Sequence, residues 1–351
     1  MTMRGRERLE ELCMTFGPSG CEDAVAAKIR EMVLPYADEV TTDRLGSLLV
    51  LVKGTDANAG RMMLAAHMDE VGFMIRSVGD NGLLYPARLS IGEGRMLTGR
   101  SVTVGNGDKQ IDGIVGAVPA HKSGGGADFG ALYIDIGAKD KAEAERHVKR
   151  GDFGVFRTAF EVLGETDPLW KGKAIDDRLG CAVLCDVLAA LAENGRRPAQ
   201  DTWFCFTRRE EIGASTATTA AWAVEPDVGI VLEATAVSDV YGTDEAWQVG
   251  KQGDGPLVSL VDAGTIYDKD LARGLLALGK DNDIPVQVKQ YPGGTNDTKP
   301  ISKVKGGVRV AAISAPTRYI HSAACAVRQK DYEAMVALVE KAVLTGVGMT
   351  K

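Results

Sequence analysis

Arg61, Met62, Met63, Leu64, Ala65 and Ala66 run straight into His67, Met68, Asp69, Glu70, Val71, Gly72 and Phe73, and how this stretch is read decides the fold. A short apolar run of this kind reads as a buried strand. Residues two apart share a face of an extended segment, so His67 and Asp69 point into one place while Met68 points away. The pattern recurs along the chain. Thr202 to Phe206 is an apolar strand leading to Thr207, Arg208, Arg209, Glu210 and Glu211, and Val228 to Leu232 runs into Glu233. Asp176, Asp177 and Arg178 open a helix with Ala, Leu and Val at helical spacing as far as Leu191. A last cluster, Arg318 to Ser322, holds His321, and the chain has only four histidines in all. Imidazoles and carboxylates that recur at the ends of separate apolar runs are what a metal site built across one sheet requires.

Around these runs, helices are expected at Arg6–Met14, Asp23–Leu34 (closed by Pro35), Gly213–Ala223, Leu271–Leu278 and Tyr332–Leu344, and strands at Val50–Val52, Val286–Lys289 and Val308–Ile313. Strands alternating with helices imply a largely parallel, three-layer α/β/α sheet. In such sheets sites form at the carboxyl ends of strands, where His67, Glu210, Glu211 and Glu233 all fall. Between Phe73 and Leu163 the texture differs. Asp80, Asn81, Gly82 and Gly105, Asn106, Gly107, Asp108 are hairpin-turn signals between alternating apolar residues, and they read as a small β-barrel or sandwich. This stretch adds a strand at Leu132–Ile136, a charged helix at Lys141–Arg150 and a glycine-rich loop at Lys122–Asp128. If His67, Asp69 and Asp176 serve one site, the chain must leave the α/β core and return. The expected organisation is a discontinuous α/β domain of residues 1–72 and 165–351, with a β-barrel of residues 73–164 inserted into it.

Composition excludes several classes. The chain has 351 residues, 45% hydrophobic and 25% charged, so a disordered or collagen-like chain is out. A net charge of -7 and a pI near 5.3 give no footprint for nucleic acid or anionic lipid. No apolar stretch approaches membrane-spanning length, and the charged residues Met1–Glu11 do not read as a secretory signal. Six cysteines without a CxxC pair fit the reduced cytoplasm, and the expected partner is a small diffusing substrate.

Two divalent ions held close together need one bridging carboxylate, one imidazole each and one further carboxylate each. The chain offers Asp176 as the bridge, His67 with Glu233 for one ion and His321 with Glu211 for the other. Mixed nitrogen and oxygen donors suit zinc, with cobalt or manganese as alternatives. Glu210 is left over, placed to take a proton from a bridging water and pass it to a leaving amine. Asp69 would orient the His67 ring. Asp177 and Arg178 read as an ion pair at a helix start, His121 as structural or interfacial, and His147 as solvent-facing. Gly124 to Gly126 lack the strand, lysine and helix of a phosphate loop.

The runs His67 to Phe73, Asp176 to Arg178, Glu210 to Gly213 and Arg318 to Ser322 resemble, in the same order, the tetrahedral (TET) and glutamyl aminopeptidases, a family of dinuclear metallopeptidases. The resemblance covers nearly the whole chain. It implies a metallopeptidase core with an inserted β-barrel dimerisation domain. It also implies a homo-oligomer, often a hollow dodecamer built from dimers, and short peptides as substrates. The family's metal ligands carry over to His67, Asp176, Glu211, Glu233 and His321, its general base to Glu210 and its supporting aspartate to Asp69. Two departures stand out: Glu233 takes the place of the family's usual aspartate, and Asn296 interrupts the Gly-Thr-Asp segment between Thr295 and Asp297. A deacylase of N-acyl amino acids would use the same groups, and a non-catalytic shell or binding protein would keep the fold without the chemistry.

Overall fold

The computed structural model describes residues 2–56, 58–91, 94–118, 128–290 and 293–349, so His121 and Gly124 to Gly126 lie outside the described residues. Three strands precede the barrel: β1 (Glu39–Thr42), β2 (Leu48–Val52) and β3 (Arg61–His67). The barrel strands are β4 (Phe73–Val78), β5 (Leu84–Arg88), β6 (Ser101–Gly105), β7 (Gln110–Gly116), β8 (Tyr133–Asp135) and β9 (Phe153–Phe156). Then come β10 (Glu161–Leu163), β11 (Leu169–Gly172), β12 (Asp201–Thr207), β13 (Val228–Ala236), β14 (Leu257–Val258), β15 (Gln287–Val288), β16 (Arg309–Arg318) and β17 (Cys325–Arg328).

Eleven strands form one sheet in the order β1-β2-β12-β3-β13-β16-β17-β11-β10, with β14 on β16 and β15 on β14. The four central strands β12, β3, β13 and β16 are parallel, and each is buried along nearly its whole length, as a sheet covered on both faces demands. Alternation sorts their side chains. Met62, Leu64 and Ala66 of β3 join a core with the helices Thr2–Met14, Asp23–Val33, Ile175–Glu193, Lys269–Asp281 and Gln329–Thr345, whereas Met63 and Ala65 join the helix Ala217–Val224 on the other face. Three layers result, α/β/α.

The expectation of a largely parallel sheet needs correcting, because β1, β2, β17, β11 and β10 all run antiparallel to their neighbours. Strand direction follows from connection length. Parallel neighbours need a crossover of roughly a dozen residues or more, while β1 and β2, β10 and β11, and β16 and β17 are each joined by a short turn. Two helices also differ from expectation. The helix expected at Lys141–Arg150 is a single turn, Lys141–Ala144, capped by Asp140, with His147 exposed after it. The helix expected at Gly213–Ala223 begins at Ala217, because Gly213, at φ 68°, first closes a 3-10 turn of Glu210–Ile212.

The second layer of organisation is a closed barrel, β4-β5-β8-β7-β6-β9, filled by Phe73, Ile75, Leu84, Val102, Val104, Val115, Ile134 and Phe156. The barrel closes at Phe156, and β10 already belongs to the large sheet. Close packing decides the residue at position 154: a Cβ there would meet the Phe73 ring at 2.1 Å. Gly154→Ala should therefore cost about 1–3 kcal/mol. Denaturant unfolding followed by fluorescence should show a lower midpoint, and an unchanged midpoint would mean that the Phe73 ring has room to move.

Candidate metal centre

β3 ends at His67, which is buried with Nδ1 turned back toward Asp69, 3.2 Å from its carbonyl and 3.3 Å from its carboxylate Oδ1. Asp69 is itself fully buried and heavily used. Its carboxylate accepts from Ser19 Oγ at 2.6 Å, from the Glu210 N–H at 3.1 Å and from the Glu211 N–H at 3.2 Å. Burial alone would raise its pKa, but His67, Ser19 and the Glu210 amide outweigh that and hold it below the usual range. One carboxylate thus orients the histidine and pins the turn after β12.

The other ring nitrogen, His67 Nε2, faces Asp176 Oδ1 at 3.5 Å and Glu233 Oε2 at 3.9 Å. Asp176 presents its second oxygen to His321 Nε2 at 2.8 Å, and Glu211 Oε2 lies 3.3 Å from the same nitrogen. Two triads result, His67-Asp176-Glu233 and Asp176-Glu211-His321, each with donor atoms within 4.8 Å of one another, and they share Asp176. The elements explain the convergence: His67 ends β3, Glu210 and Glu211 follow β12, Glu233 sits in the last half of β13, His321 follows β16, and Asp176 opens the helix after β11.

The electrostatics ask for a cation. Burial, then the Asp176 charge, pushes Glu211 well above the usual carboxylate range; burial, then Asp177, does the same to Glu233. Burial pulls both imidazoles down, yet the surrounding carboxylates reverse this, leaving His67 well above its ordinary value and His321 at about 9. Asp176 Oδ1, Glu211 Oε1 and Glu233 Oε1 are buried with no hydrogen-bond partner. Buried polar atoms are nearly always satisfied, and these three orphans belong to the very carboxylates of the two triads. The donor set therefore fits divalent metal, with hard oxygens and imidazole nitrogens suited to zinc, cobalt or manganese.

The expected Asp177–Arg178 ion pair is not what forms. Asp177 accepts from the Gly180 and His67 amides, at 3.0 and 3.3 Å. Arg178 is fully buried and donates to the carbonyls of Met68, Leu12, Thr15 and Gly17, with Glu70 at 3.5 Å from its Nη2. Both residues hold backbone, which no residue spacing reveals. Residue spacing carries no signal for Ser19 or for the buried pair Glu22–Arg208 at 2.7 Å, which anchors the turn before Glu210, and Asp297, expected only as part of the Gly-Thr-Asp segment, accepts from Thr207 Oγ through Oδ2 at 2.6 Å. Five of the eight non-glycine residues with positive φ among the described residues lie here: Ala174, Arg209, Ser238, Tyr319 and His321. Such strain persists only where surroundings over-determine it.

A cavity of about 310 Å³ opens over the cluster, lined by His67, Asp176, Glu210, Glu233 and His321 and, beyond them, by Lys289 and the loop Gly293–Asn296. A three-layer core with an inserted barrel, carrying a shared-aspartate donor cluster under such a cavity, fits a metal-dependent hydrolase. The chain belongs to the M42 glutamyl aminopeptidase family, whose model matches residues 46–338, and is thus a hydrolase acting on peptide bonds. It is similar to the TET aminopeptidase of a marine-sediment Thaumarchaeota archaeon, at 33% identity and a TM-score of 0.93 over 97% of this chain and 96% of that one. The Pyrococcus horikoshii TET1 peptidase, which can assemble into a tetrahedron or a large octahedral shell, matches at 29% identity and a TM-score of 0.85, covering 97% and 99%. The lysyl aminopeptidase of Pyrococcus furiosus is 27% identical over 325 residues, 90% of each chain.

Arg178→Met keeps the volume and removes the donors to four carbonyls. Leaving those carbonyls buried without a partner should cost about 3 kcal/mol or more, read as a lower thermal midpoint. An unchanged midpoint would show that the N-terminal helix is held by something else.

Proposed function

We propose that the chain is a metal-dependent aminopeptidase that releases N-terminal residues from short peptides, with His67, Glu233 and Asp176 holding one ion and His321, Glu211 and Asp176 the other. The observation that carries this reading is the pair of triads with three orphaned buried oxygens, beside a carboxylate, Glu210, that belongs to neither. Bound divalent ions supply Lewis acidity for the scissile carbonyl and a water that ionises near neutrality. The chain's own part is proton transfer. In the metal-free chain burial, with Asp297, Asp176 and Asp69 nearby, raises Glu210 to about 7; a carboxylate at this place, outside both triads, is positioned to accept and return a proton. Its carboxylate oxygen takes the proton of the attacking water and delivers it to the leaving amine nitrogen. Asp69 keeps His67 turned so that Nε2 faces the cluster. Glu233 is one methylene longer than the family's usual aspartate and still brings its Oε2 into the triad.

The same reading makes the chain a homo-oligomer, up to a dodecamer assembled from dimers joined through the barrel domain. The assembly of its Pyrococcus horikoshii relative supports a homo-oligomer, as do Tyr241 and Ile266, large apolar side chains of the α/β domain that stand exposed on the single chain. Its compartment would be the cytoplasm: all six cysteines are free, and no described helix is long and apolar enough to cross a membrane.

Glu210→Gln is expected to keep both metals, by elemental analysis, and to lose turnover by about 100-fold or more; unchanged turnover would remove Glu210 from the chemistry. His321→Ala should lower metal stoichiometry, and a fully loaded variant would take His321 out of the ligand set. Because His321 holds its proton up to about 9 in the metal-free chain, a metal must displace that proton. Affinity should then rise with pH toward that value, with proton release detected by calorimetry in buffers of different ionisation enthalpy. A panel of aminoacyl chromogenic amides alongside their N-blocked forms separates peptidase from deacylase: activity only on the blocked compounds would sink the aminopeptidase reading.

A further inference from the structure

Residues 15–22 join the first two helices and hold none of the donors of the two triads, yet they are built into the cluster. At one end the Gly17 carbonyl accepts from the Glu70 amide and from Arg178 Nη2, both at 3.1 Å, and Pro18 forms an isolated parallel bridge with Glu70. At the other end Glu22 accepts from the Gly20 amide at 2.9 Å, from Arg208 Nε at 2.7 Å and from the Arg209 amide at 3.2 Å. The loop is thus fastened on one side to the exit of β3 and on the other to the turn that carries Glu210 and Glu211. Between these anchors lies Ser19, only 2% exposed, with its hydroxyl donating to Asp69 Oδ2 at 2.6 Å.

That hydroxyl completes the Asp69 carboxylate. Oδ1 lies 3.3 Å from His67 Nδ1 and accepts from the Glu210 amide at 3.1 Å, while Oδ2 accepts from the Glu211 amide at 3.2 Å and from Ser19. Two partners per oxygen fill the acceptor capacity of a carboxylate. The Ser19 contact is the shortest of the four, and it alone comes from outside the segments that carry the cluster. The last torsion of an aspartate is broad and has no strong preference of its own, so its neighbours must set it. We infer that Ser19 is a positioning residue of the reaction: its hydroxyl locks the Asp69 carboxylate and, through it, holds His67, Glu210 and Glu211 in fixed relation to one another. With Oδ1 on Nδ1, the His67 ring carries its proton there and turns Nε2 to the cluster. With both turn amides on the same carboxylate, the proposed base and a donor of the other triad start from a fixed backbone. Without the hydroxyl, Oδ2 keeps one amide at 3.2 Å, and the carboxylate turns at the expense of its bond to His67. The inference rests on the metal-dependent aminopeptidase reading above.

The test is a double-mutant cycle on the full-length protein, comparing wild type, S19A, D69A and S19A/D69A, with circular dichroism to confirm folding. Zinc affinity is read by calorimetry, and kcat and KM are measured at saturating zinc on the aminoacyl chromogenic amide that wild type hydrolyses best. S19A should bind zinc about 10- to 100-fold more weakly and lose kcat by about 10-fold or more, the range for a group that supports a metal-bound histidine. KM should stay close to the wild-type value, because neither Ser19 nor Asp69 lines the cavity. In the D69A background the same serine substitution should change neither zinc affinity nor kcat, since the hydroxyl has lost the group it acts through. S19C, of similar size but a weaker donor, should fall between wild type and S19A, an order that stands whatever D69A does. Equal losses from S19A in both backgrounds, or wild-type zinc affinity and kcat in S19A and S19C, overturn the role of Ser19 and leave the aminopeptidase reading standing. A wild type that hydrolyses no aminoacyl amide with zinc, cobalt or manganese overturns both.

Discussion

A carboxylate cannot be buried without something to answer its charge, and this chain buries Asp69, Asp176, Asp177, Glu211, Glu233 and Asp297 around two imidazoles at one edge of a sheet. Placing such charges in a low-dielectric interior costs several kcal/mol each unless they are paired. Much of the architecture around the site can be understood as the answer. Asp69 is met by a hydroxyl and two amides, Asp177 by two amides, and Asp297 by the Thr207 hydroxyl. One oxygen each of Asp176, Glu211 and Glu233 is left unanswered, as is Asp297 Oδ1 beside them.

Bringing these groups together is the task of the four parallel strands, whose ends all open toward the same crevice, and of the helix start after β11, which supplies Asp176 and Asp177. The price in local strain falls on the turns that follow them, at Arg209, Tyr319 and His321. Those turns are held from behind. Glu22 pairs with Arg208 and accepts from the Arg209 amide, and Arg318 pairs with Asp239 at 2.7 Å, so the segments carrying Glu210 and His321 are both braced by ion pairs. On the opposite flank Arg178 ties the end of the first helix and the residues after it to the backbone beside Asp69. Rigid support of this kind is what a site needs to hold its donors in place while empty of substrate.

Much of this was legible from residue order alone. Buried runs ending in histidine or acidic pairs placed the donors at strand ends, and the hairpin signals at Asp80–Gly82 and Gly105–Asp108 separated barrel from core. Strand direction at the sheet's flanks was less so, although the short links after Thr42, Leu163 and Arg318 carried that information. Hydrophobic periodicity says nothing of direction. Arg178 and Asp177 depart from the expected ion pair because a charged pair in sequence looks the same whether it bonds to itself or to distant backbone groups.

The central claim is that the two triads are one centre joined through Asp176. Counting divalent ions per chain in D176N, with circular dichroism to confirm folding, tests it most directly. A shared carboxylate predicts that this single substitution weakens the binding of both ions together. Loss of one ion with the other bound as tightly as before would contradict it, and two independent sites would have to replace the bridged centre.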